Sequence, residues 1–240
     1  MNVLTRPTAA FAAAAVADLL ADAVAADPEL VIALPTGRTM VPFYDELARR
    51  HRRGEIDLGR ARGFNLDELL IPAEHPQSFH SYMVRHAWGR TGLRRERCDI
   101  PDPGADATTE CARYDRALAA AGGLDVAVVG VGADGHVAYN LPGQTAEHTH
   151  VVEVPAAVAA TVGVAPPLRA ITMGLGPLRT AGHLILLATT EEKAHPVRLL
   201  LEGPEDPAWP CTLLRRHPRF DLVLTPEAAG ALAPAAGRVG

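Results

Sequence analysis

Short apolar runs alternate with helix-patterned segments along most of this chain, and few folds accommodate that order. The runs ELVIAL (29–34), DVAVVG (125–130), GHLILLAT (182–189) and RFDLVLT (219–225) read as strands, with further strands near GFNLD (63–67) and LRAITM (168–173). Helices are expected over 8–26, from the PTGRT turn to Arg50, after Ser78, over 107–121 and near 191–201. Strands separated by helices form a largely parallel sheet with both faces covered, an α/β class of fold. Ligands of such sheets bind where the carboxyl ends of the strands open into loops. Four such loops carry useful chemistry: Thr36-Gly37, Asp67, Asp134 with His136, and Lys193.

The 240 residues fit one domain, and no repeat or composition break marks a boundary. A net charge of −5 without basic runs interleaved with aromatics excludes a nucleic-acid groove. The arginines at 49–53 and 94–95 read as solvated surface. Cys98, Cys111 and Cys211 are far apart and form no C-x-x-C, so neither a disulfide framework nor a zinc site is expected, and a reducing cytoplasm suits them. The N-terminal AAFAAAAVA (9–17) resembles a signal segment, but Asp18 and Asp22 interrupt it at helical spacing. It is expected to be the first helix of the fold, no apolar run reaching the ~18–20 residues of a membrane span.

The segment GVGADGHVAYNLPG (130–143) has two readings. Gly130, Gly132 and Gly135 satisfy G-x-G-x-x-G, a dinucleotide fingerprint. That fingerprint belongs after the first strand and opens a long helix. Here it lies past the middle of the chain, and Pro142 and Gly143 stop any helix within two turns. In the other reading the glycines make a tight turn that presents Asp134 and His136 together, a carboxylate fixing the tautomer of an imidazole acid/base. On the motif alone, a turn-capping Asp134 with a packed His136 is an equal alternative.

The other loops are equally two-sided. Thr36, Gly37, Arg38 and Thr39 lie between a strand and a helix, as a phosphate cradle or an ordinary capped turn; no G-K-[ST] makes it a Walker loop. Asp67 and Glu68 offer a proton-transfer base or a pair that caps the next helix. Lys193 is a cation in a helical first turn, where the dipole disfavours it, which hints at an anionic ligand; Glu191 and Glu192 could offset it instead. His148 and His150 share a strand face without further ligands and read as structural.

Together, LPTGRT, FNLDELLIPAEHPQSFHSYM, GVGADGHVAYNLPG, ITMGLGPLRTAGHLILLATTEEKA and LEGPEDPAWP resemble the glucosamine-6-phosphate deaminase (isomerase) family, in the superfamily that includes 6-phosphogluconolactonase. The resemblance covers nearly the whole chain. It implies a Rossmann-like, doubly wound single domain over 1–240, with neither metal nor cofactor. Asp67 then corresponds to the aspartate that moves a proton between C2 and C1 of the opened sugar. His136 corresponds to the ring-opening histidine, supported by Asp134, and Pro35, Thr36, Gly37, Arg38, Thr39 and Lys193 to the groups around the 6-phosphate. The implied partner is a small-molecule sugar phosphate, with neither nucleic acid nor membrane; a homo-oligomer is compatible.

Several positions depart from that pattern. The family glutamate five residues after the histidine is Leu141 here, an apolar residue as in the lactonases. No arginine occurs in 155–166, where the deaminases supply a second phosphate cation, and Arg38 replaces a small residue. The region after 143 lacks the basic residues of an allosteric amino-sugar-phosphate site, so no such activation is expected. Three functions follow: an isomerase that deaminates an amino-sugar phosphate, a sugar-phosphate lactonase with His136 as base, and a weakly catalytic sugar-phosphate binder. Asp67 favours the first.

Overall fold

The computed structural model describes residues 1–232. The chain begins with β1 (Asn2–Thr5), α1 (Ala9–Ala26), β2 (Val31–Leu34), α2 (Val41–Arg52), β3 (Arg62–Asn65) and β4 (Asp67–Leu69). It continues through α3 (Phe79–His86), β5 (Cys98–Asp99), α4 (Ala107–Ala120), β6 (Val126–Gly130), β7 (His150–Glu153) and α5 (Ala156–Val162). The last described elements are β8 (Arg169–Thr172), α6 (Leu175–Thr180), β9 (His183–Ala188), α7 (Ala194–Glu202) and β10 (Phe220–Leu224).

Seven strands form one sheet in the order β1-β10-β9-β6-β2-β3-β5, every neighbouring pair parallel. Successive strand residues point to opposite faces, and here both sets are apolar. Ile32, Leu34, Val128 and Ile185 enter one core with α1 and α2, while Ala33, Val129, Leu184 and Leu186 enter the other with α4, α6 and α7. The expected doubly wound sheet is therefore present.

The stretch near LRAITM differs from a simple parallel continuation. As β8 it pairs antiparallel with β4 and β7 in a separate three-stranded sheet. That small sheet has its own core of Leu69, Ile71, Val152, Val154, Ala159, Leu168 and Ala170. The chain passes from β3 to β4 through the single residue Leu66, which bonds back to Leu34 at 3.2 Å.

By length and composition α1 is apolar enough to cross a membrane, which corrects the reading that no run reaches that length. Its inner face, including Ala12, Val16 and Leu20, is buried in the core, and Asp18 on its outer face pairs with Arg50 at 2.7 Å. The edge strand β1 is held by Asn2, whose amide donates to Asp221 at 2.7 Å; Asp221 in turn meets the buried His183 at 2.6 Å.

Candidate active site

The strand order reverses beside β2: β3 lies on one side of it and β6 on the other. Loops leaving β2 and β6 diverge there, and a crevice opens at the carboxyl edge of the sheet. A cavity of about 220 Å³ fills it, lined by Thr36, Gly37 and Thr39 at one end and by Asp67, His136 and Tyr139 at the other. That is small beside the ~300–1,000 Å³ of drug-sized ligand sites and suits a small metabolite.

The loop after β2 is set by glycine and two tyrosines. Gly37 has φ 104° and ψ 166°, a conformation open only to glycine, and a Cβ there would meet nothing. Tyr44 donates its hydroxyl to the Pro35 carbonyl at 2.7 Å, and Tyr82 donates to the Gly37 carbonyl at 2.9 Å. With these carbonyls held by the tyrosines, an anion at this rim meets backbone N–H groups and the hydroxyls of Thr36 and Thr39.

The adjacent carboxylates divide because successive strand residues face opposite ways. Glu68 turns away from the cavity and accepts N–H groups from Leu69 at 2.8 Å, Phe79 at 2.8 Å and His80 at 2.7 Å, so it caps α3. Burial pushes the Glu68 carboxyl up to about 7 against these three donors. Asp67 faces the cavity; its Oδ1 is buried and has no hydrogen-bond partner among the described residues. Burial, and then the charge of Glu68, pushes its carboxyl up to about 8. A carboxyl so placed can both take and return a proton near neutral pH.

On the loop after β6, His136 Nδ1 lies 2.6 Å from Asp134 Oδ1, and the His136 N–H donates to the same oxygen at 3.2 Å. Burial raises the Asp134 carboxyl, but its hydrogen bonds and attraction to His136 outweigh that and leave it lowered. Asp134 stands behind the imidazole rather than on the cavity wall. The glycines serve this packing. A Cβ on Gly132 would collide with the His136 ring, and one on Gly135, at φ 81°, would come within 2.9 Å of Trp209. No long helix follows the motif, which removes the dinucleotide reading.

Two expected phosphate residues are placed differently. Lys193 lies in a 3₁₀ turn (Glu191–Lys193) ahead of α7, not in the first α-helical turn, and its Nζ pairs with Glu192 at 3.1 Å. Arg38 is exposed and does not line the cavity; its charge reaches Glu192, whose carboxyl is lowered first by Lys193. Neither cation lines the cavity, and both act on Glu192. Leu141 is buried at 4% exposure.

Sequence reasoning passed over the aromatic wall. Tyr139 stacks with Phe79 at 5.9 Å and with His136 at 6.2 Å, the latter pair inclined by only 8°. The signal was Tyr139 itself, three residues after the histidine in the motif. His150 uses its ring nitrogens on the carbonyls of His148 and Gln144. Among the described residues no group of three or more His, Cys, Asp or Glu is placed to hold a metal ion.

A parallel sheet whose switch point gathers a paired aspartate and histidine and a buried carboxyl has the frame of an α/β enzyme. The family model for glucosamine-6-phosphate isomerases/6-phosphogluconolactonase matches residues 5–223, and the chain belongs to that family. It is 37% identical to a glucosamine-6-phosphate deaminase of Beutenbergia cavernae, over 97% of this chain and 93% of that protein. A Corynebacterium aurimucosum protein of the same name is also 37% identical, over 97% and 94% of the two chains. Among solved structures, a monomeric glucosamine-6-phosphate deaminase superposes with a TM-score of 0.90 at 28% identity, covering 96% of this chain and all of that one. The 6-phosphogluconolactonase of Trypanosoma brucei shares the fold, with a TM-score of 0.81 at 22% identity over 97% and 98% of the chains.

Proposed function

We propose that this chain converts glucosamine 6-phosphate, or a close amino-sugar phosphate, to a ketose phosphate and ammonia. The observation that carries the reading is Asp67, a buried and unpaired carboxyl on the wall of a cavity that also exposes His136. Lactone hydrolysis has no use for a second proton carrier there; carbon-acid chemistry requires one. The 6-phosphate lies against the Pro35–Thr39 loop, with Lys193 and Arg38 as the cations of the rim. His136, oriented by Asp134, moves the O1 proton to the ring oxygen and opens the sugar. Asp67 then removes the proton from C2, the C–H pair becomes a C1–C2 double bond, and the C1=O1 pair moves onto O1. One proton of the 2-ammonium group passes to O1 by way of His136. Asp67 returns its proton to C1 as the nitrogen pair forms C2=N, and water displaces ammonium to leave the ketone.

Ammonia release from glucosamine 6-phosphate, with Asp67→Asn measured beside it, tests the reading. Turnover by the wild type and its loss in the variant are expected; a silent wild type refutes it. A sugar-phosphate lactonase is the second reading, favoured by the apolar Leu141. It is distinguished by lactone hydrolysis that survives Asp67→Asn. Ligand-induced stabilisation without either turnover would mark a binder.

A further inference from the structure

Tyr139 is more than a packing residue. Its backbone is held to the small sheet: the N–H donates to Thr172 Oγ1 at 3.0 Å, and the neighbouring Asn140 amide donates to the Met173 carbonyl at 2.8 Å. Thr172 is the residue that faces Asp67 across the β4–β8 ladder. Tyr139 and Asp67 are thus referred to the same point of one sheet. The preceding Ala138 adopts φ 53°, a left-handed conformation that a residue with a side chain holds only when its surroundings require it. The ring runs nearly parallel to His136 and lines the cavity with it.

The hydroxyl lies within electrostatic reach of both carboxylates. Burial raises the phenol well above its usual range, and the charges of Asp67 and Glu68 raise it further. Among the described residues the hydroxyl has no hydrogen-bond partner; the bond described for Tyr139 is that of its backbone. A phenol that keeps its proton has an O–H to donate to a substrate oxygen. Tyr139 lines the same cavity as His136 and Asp67, where a substrate would lie.

On the deaminase reading of the site, we infer that Tyr139 is a further catalytic residue, its hydroxyl donating a hydrogen bond to the substrate's O1 as Asp67 withdraws the C2 proton. The C–H electron pair becomes the C1–C2 double bond, and the carbonyl pair moves onto O1. Tyr139 stabilises that oxygen and transfers no proton. A donor aimed at developing negative charge is one of the strongest single contributions a site can make. The residue gives the O1 end of the substrate a fixed partner where Leu141 supplies no acid.

Tyr139→Phe deletes the one oxygen and retains the stacked ring. Expected is a fall in kcat for ammonia release of about 10²-fold, the scale for loss of an oxyanion donor, with KM held within about threefold. The deuterium isotope effect on kcat with C2-deuterated substrate should rise, because proton removal becomes the slower step. That ratio is unchanged by a misfolded fraction, so it separates a chemical role from a structural one. An active wild type beside a Tyr139→Phe variant with kcat within about twofold and an unaltered isotope effect overturns the inference alone. A wild type that releases no ammonia overturns the deaminase reading and this inference with it.

Discussion

Asp67→Asn separates stability from activity at one atom. The carboxyl is 5% exposed, and its ionisation moves from 3.8 to about 8 through burial and then Glu68. In the unfolded chain the group returns to its ordinary value, so between about pH 4 and pH 8 the folded state holds a proton that the unfolded state has released. The folded pKa of this acid is raised, so its contribution is most favourable below the unfolded pKa and declines as pH rises to the folded one. Four units at about 1.36 kcal/mol each set an upper bound of roughly 5 kcal/mol. Buried sites respond as a medium more polar than the dry interior, which reduces the expected decline to about 2 kcal/mol. Asparagine does not ionise. Relative to wild type, the variant should therefore gain about 2 kcal/mol between roughly pH 5 and pH 8.5, equivalent to about 4–8 °C in Tm for a chain of this size. The pH-independent effect of burying an amide cancels in that comparison. Thermal and urea unfolding across this range provide the test, with ammonia release expected to fall at least about 10²-fold in the same variant. Melting curves that run parallel in pH would refute the burial of an ionisable Asp67.

Three further perturbations address the rest of the rim. Gly132→Ala puts a methyl group into the His136 ring, so kcat should fall by about 10²-fold through displacement of the imidazole, while far-ultraviolet circular dichroism stays native. Lys193→Met removes the cation paired with Glu192 and, on the proposed function, should raise KM for the sugar phosphate by at least about tenfold, the scale of a charge-assisted contact, with little change in kcat; unchanged KM would place the phosphate elsewhere. Leu141→Glu introduces a carboxylate at a 4%-exposed position and should lower stability by about 1–3 kcal/mol while accelerating ring opening, followed by loss of the cyclic form in NMR. No change in ring opening would show that Leu141 does not limit that step.

The legible part of the fold is the part whose signal is local. β2, β6, β9 and β10 are buried on both faces, so each appears as an apolar run, broken only by Asp221 in β10 and opened by His183 in β9. The edge strand β1 carries Asn and Thr, and β5 is two residues long, so neither stands out. The short helices α5 and α6 have too few turns to show a periodicity. The direction of β8 is decided by distant partners, β4 and β7, and nothing in LRAITM encodes it. At the site, the pairing of Asp134 with His136 lay within one loop and was visible as a motif. The residues alone left open which of Asp67 and Glu68 faces the cavity; the family resemblance singled out Asp67, and strand alternation separates the two in the fold. Lys193 pairs with Glu192, and the charge of Arg38 reaches the same carboxylate, a neighbourhood that no spacing rule anticipates.

The small antiparallel sheet gives the cavity two walls of different origin. The threonine rim and the histidine loop stand on the large sheet and its two cores. Tyr139 instead packs against the satellite core of Leu69, Val152, Ala159 and Leu168, and Phe79 bridges that core to the one beneath α1 and α2. Substitutions there can shift the aromatic wall by fractions of an ångström while leaving the anion-facing rim in place. A change in which ligand the cavity fits can thus begin in residues that never touch it, while the Pro35–Thr39 loop keeps its place. A comparison restricted to cavity-lining positions would miss that change.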